Sequence, residues 1–68
     1  MNAQYLDQAR AAYRAGDFSA APSMFLASKE PGELLGEADH LRGNCLMRLG
    51  MYADAASAYA DALQDTSY

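Results

Sequence analysis

The side chains able to do chemistry in this 68-residue chain are few: His40, Cys45, one lysine and four arginines. His40 has Glu37 and Asp39 close by in sequence, but no nucleophile–base spacing accompanies them. One histidine and one cysteine do not close a metal site. The glycine-containing segments Leu49-Gly50-Met51 and Pro31-Gly32-Glu33 lack the spacing and the lysine of a phosphate-binding loop. No enzyme, metal or cofactor is therefore expected. His40 reads as a surface or groove residue, and Cys45, beside Leu46 on an apolar seam, as a buried and inert thiol.

The arginines are more informative. Arg10, Arg14, Arg42 and Arg48 all fall in the two segments that precede a glycine, Gly16 and Gly50, although the chain carries a net charge of −4. That net charge argues against generic binding to nucleic acid or to an anionic membrane. Guanidinium groups grip carboxylates bidentately.

The elements that must position these residues are helices. Fifteen Ala and eight Leu stand against no Val and no Ile, and Thr66 is the only β-branched residue. Such a composition favours helix over strand. Asn2 is placed to cap a first helix running to about Ala15, with Tyr5, Leu6, Ala9, Ala12 and Tyr13 on its apolar face. Ser19 is the expected cap of a second helix to about Lys29, with Pro22 tolerated in its first turn. Glu30-Pro31-Gly32 is the clearest break. A third helix is expected over about residues 33–49, Gly36 marking a later start as the alternative, with Leu34, Ala38, Leu41, Cys45 and Leu49 as its seam. A fourth covers about residues 52–64, with Ala55, Ala56, Tyr59, Ala62 and Leu63 inward. Asp61 and Asp65 oppose its dipole, so its last turn is expected to fray and Thr66-Ser67-Tyr68 to form a tail.

The two halves repeat. Arg14, Gly16, Phe18, Ala21, Ser23 and Phe25 recur 34 residues on as Arg48, Gly50, Tyr52, Ala55, Ser57 and Tyr59. With small residues Ala9 and Gly43 midway along the first helix of each half, the chain resembles the tetratricopeptide repeat family over about Gln4 to Leu63. The resemblance implies an all-α fold of two antiparallel helix pairs stacked as a short right-handed solenoid. It implies one domain over residues 1–68, with repeats at about 3–31 and 37–65. Small residues let helix axes approach, which explains Gly43 as a close contact with helix four. The pattern is broken where Gln8 and Arg42 replace a leucine, where Asp39 replaces a large residue, and where the proline arrives late as Pro31.

In that family the first helix of each pair lines a concave face that holds peptides or partner helices. The corresponding positions carried forward are Leu6, Arg10, Tyr13 and Arg14 with His40, Asn44, Met47 and Arg48. In place of the lysine–asparagine clamp of chaperone-binding members stand Leu6 and Arg10 in the first unit, while His40 and Asn44 match it by half in the second, so binding of chaperone tails is not expected. The function expected is a protein-interaction scaffold for an acidic or carboxylate-bearing partner. The alternatives are a self-assembly module or the front of a longer array. Repeat arrays usually need about three units, and here two are followed by no recognisable capping helix. A homo-oligomer through helix four, where Ala56, Ala60 and Leu63 invite close docking, is expected on that ground. A single cysteine, no membrane-length apolar run and no signal-peptide pattern make the cytoplasm the default location.

Overall fold

Four helices and no strand form the computed structural model, which describes residues 1–68: α1 (Ala3–Arg14), α2 (Ala21–Ala27), α3 (Gly36–Arg48) and α4 (Tyr52–Leu63). Asn2 caps α1 as expected, its side-chain oxygen accepting from the Tyr5 N–H at 3.2 Å. Each helix packs on the next, and α1 also touches α3, whereas α1 and α4 do not meet. The Asn2 N–H donates to the Ser28 carbonyl at 2.8 Å, so α1 and α2 are antiparallel. Links from Arg10 to Glu37 and from Tyr13 to Asn44 climb both helices together, and the contact of Phe18 with Arg48 continues the series just past α1, so α1 and α3 run parallel.

The turn between the two helices of each hairpin is the same object twice. Ala15, Gly16, Asp17 and Ala21 donate their N–H groups to the carbonyls of Ala11, Tyr13, Ala12 and Asp17. Leu49, Gly50, Met51 and Ala55 do the same to Cys45, Met47, Leu46 and Met51, each partner 34 residues on. Both turns need a left-handed residue, and Gly16 and Gly50 supply it at φ 77° and 75°. The sequence period is therefore a structural period, with matching hydrogen bonds.

Several boundaries differ from expectation. α2 begins at Ala21, and Ser19 does not cap it; the Ser19 hydroxyl and the Ala20 N–H both donate to Asp17 Oδ1 at 3.2 Å. Its counterpart α4 starts three residues earlier in register, at Tyr52. Pro22 accounts for the delay: a helix begun at Phe18 would need a Pro22 N–H and would press the ring on the Phe18 carbonyl. α3 begins at Gly36, the later of the two starts considered, because Glu30 to Glu33 close a separate turn around Gly32. Leu34 and Leu49 accordingly leave the seam, at 51 % and 43 % exposed, while Ala38 and Cys45 are fully buried.

On α4, Ala55 and Ala58 face the core; Ala56 is exposed and Leu63 is 83 % exposed, a correction to both. Nor do residues 65–68 hang free. The Gly36 N–H donates to Asp65 Oδ2 at 2.7 Å, and the tail folds back until a Cβ on Gly36 would lie 2.6 Å from Tyr68. The carboxylate placed badly for its own helix dipole is thus bound at the start of α3.

Two apolar clusters result. The larger joins Leu6, Ala9, Ala21, Phe25, Ala38 and Cys45 from three helices, with Tyr13, Phe18 and Leu41 packed against it. The smaller holds Leu46, Ala55 and Ala58, with Tyr59 alongside. Between the hairpins lies a charge: Asp39, 1 % exposed, accepts from Lys29 Nζ at 3.0 and 2.8 Å and from Arg42 Nη2 at 3.3 Å.

Candidate partner-binding face

Seven of the eight expected groove residues are at least partly accessible; Leu6 is 2 % exposed and belongs to the core. The rest divide by what already occupies them. Arg10 reaches across to α3, its Nε and Nη2 donating to the two Glu37 oxygens at 2.6 Å each, while Nη1 donates to Asp7 at 3.1 Å. This is the bidentate carboxylate grip expected of a partner, filled instead by the chain itself. Arg10 holds the Glu37 carboxyl below the usual carboxylate range. Its availability to a ligand is therefore corrected.

Tyr13 and Asn44 form the middle of the face. Asn44 Nδ2 donates to the Tyr13 hydroxyl at 3.3 Å, and Asn44 Oδ1 accepts from the Tyr59 hydroxyl at 2.6 Å. Three helices are thereby tied by one amide. Each link is of the kind worth about 1 kcal/mol net. The Tyr13 hydroxyl, used here as acceptor, retains its own proton to donate outward. Below it, the Tyr13 ring meets Phe18 and Phe25 edge-on, at 5.9 and 6.4 Å between centroids.

Arg48 lies over the Phe18 ring, 5.1 Å from its centroid, and remains exposed. Stacking of this kind orients a guanidinium without consuming its hydrogen bonds. Arg14 is exposed and forms no salt bridge or side-chain hydrogen bond. Met47, 45 % exposed, offers an apolar surface. At the far end His40 Nδ1 and the Tyr68 hydroxyl share a 2.8 Å hydrogen bond, and the imidazole also lies 6.2 Å from the Tyr59 ring. His40 is therefore bonded to the tail while remaining partly accessible.

The sequence reading missed Glu37, Phe18, Tyr59 and Tyr68 as parts of this face. It also passed over the Lys29–Asp39–Arg42 cluster on the opposite side of α3. A signal for that cluster was present: the two departures from the repeat pattern in the second half, Asp39 and Arg42, are opposite charges three residues apart on one helix. Burial holds the Cys45 thiol above its usual range, which lowers its thiolate fraction. No helix is long and apolar enough to cross a membrane. No protein-family model, curated protein or solved structure matches this chain.

Proposed function

We propose that this chain is a tetratricopeptide-type interaction module, a short right-handed solenoid whose α1–α3 face receives an extended acidic segment of a partner protein. The observation that carries the reading is the hairpin turn repeated 34 residues apart with the same hydrogen bonds. Parallel α1 and α3, side by side, make a continuous face from the first helix of each unit. The ligand groups are Arg14, Arg48, the Tyr13 hydroxyl and the remaining amide proton of Asn44, with Met47 as an apolar neighbour. Two guanidiniums beside two neutral donors favour a carboxylate flanked by peptide backbone. No catalytic step is assigned. The lone buried thiol suits a reducing, cytoplasmic setting.

The test is fluorescence anisotropy with labelled peptides that differ only in acidic residues and in a free or amidated C-terminus. Binding should favour acidic peptides, weaken with salt, and fall at least tenfold in Arg14→Glu with Arg48→Glu, a loss of about 1.4 kcal/mol or more. Arg10→Glu is a poor probe, since it places a second acid beside Glu37 and Asp7. Equal binding of acidic and neutral peptides, or undiminished binding by the doubly reversed variant, would remove this face from consideration.

A further inference from the structure

The internal contact between α2 and α3 defines an interface that the chain presents again, unoccupied, at its two outer faces. Moving α2 forward by the 34-residue period lands on α4, and moving α3 back by it lands on α1. At the internal contact, Lys29 of the α2 end reaches Asp39 of α3, and both are largely buried. The position equivalent to Lys29 is Leu63, 83 % exposed, and the position equivalent to Asp39 is Tyr5, 46 % exposed. A buried ion pair inside the chain thus corresponds to an exposed leucine on one face and an exposed tyrosine on the opposite face. The neighbouring positions follow suit. Ala38, fully buried, corresponds to exposed Gln4, and half-buried Pro22 corresponds to exposed Ala56.

We propose that copies of this chain stack head to tail, α4 of one copy against α1 of the next, through the α2–α3 interface repeated between molecules. Leu63 of one copy then covers Tyr5 of its neighbour, an apolar pair in the place of the internal ion pair. The argument for a second copy as the occupant is the continuity of register: both halves of a known interface are present on one molecule, related by the period that already built its interior. Such a contact is heterologous, so each copy keeps one free face and assembly grows with concentration. The proposal rests on the repeat reading but not on peptide binding, because it uses the outer faces of α1 and α4 and leaves Arg14 and Arg48 untouched.

Sedimentation velocity from micromolar to millimolar concentration tests it. The weight-average mass should rise continuously beyond that of one chain. Leu63→Lys and Tyr5→Asp each alter an exposed side chain, and helical circular dichroism of both variants should match the parent. Each alone should weaken self-association by about tenfold or more. Mixed in equal amounts they should associate again, into alternating stacks of equal composition, since the mixture rebuilds the Lys29–Asp39 pairing at one contact and keeps the Leu63–Tyr5 contact at the next. A monomer at every concentration overturns the proposal. So does association abolished by Leu63→Lys yet unaffected by Tyr5→Asp, which would mean α4 pairs with α4.

Discussion

The two hairpins share a turn and differ in what fills them. In the first, Phe25 is fully buried against Ala9 and Tyr13, in a core extended by α3. In the second, the same register position is Tyr59, half-buried, bonded through its hydroxyl to Asn44 and pressed against Gly43. A hydroxyl at that slot obliges the surroundings to be polar, because a buried unpaired group costs about 1–3 kcal/mol. The Tyr59 ring also lies so close to α3 that a Cβ at position 43 would stand 2.6 Å from it, so glycine is needed where the first hairpin has Ala9. The turn chemistry sets the hairpin. The aromatic slot decides whether the hairpin holds a dry core or a hydrogen-bonded face.

The strongest challenge to this contrast is Phe25→Ala. Three helices share that side chain, so denaturant unfolding should show a loss of about 3–5 kcal/mol. A loss no greater than that of Tyr59→Ala would mean the first hairpin is not the better packed of the two. Gly43→Leu comes next. A Cβ alone would stand 2.6 Å from the Tyr59 ring, so the larger side chain should cost about 1–3 kcal/mol by thermal or denaturant melts. Adding Tyr59→Ala to Gly43→Leu should recover much of that loss, and no recovery would place the clash elsewhere. The mildest change is Tyr59→Phe, which removes one hydrogen bond and should cost about 1 kcal/mol. It should also loosen Asn44, raising hydrogen exchange of its side-chain amide; unchanged stability and exchange would show that the Tyr59–Asn44 bond contributes nothing.

Helix number, the glycine turns, the Asn2 cap, the close approach at Gly43 and the buried Cys45 were legible in the sequence. Each depends on local spacing or on one residue's steric need. What was not legible depends on partners distant in sequence. Arg10 looked like a free cation until Glu37, 27 residues away, came within reach. Leu6 looked like a groove residue because the register of the family it resembles places that slot outward, yet it packs into the cluster that α1, α2 and α3 share. Asp65 looked unfavourable beside its own helix end, and its acceptor role belongs to the start of another helix. Leu34 and Leu49 fitted the helical period but lie outside α3, where the period no longer determines a face.

Contacts in this molecule run mostly from each helix to the next, with a smaller meeting of α1 and α3 and with α1 and α4 apart. That arrangement governs how the chain acquires its structure. Most native contacts close loops no longer than a single hairpin or its nearest neighbour, so little chain entropy is lost before contacts form. A helical protein with such local connectivity belongs among those that fold in microseconds to milliseconds. Either hairpin can serve as the starting point, since each carries its own turn.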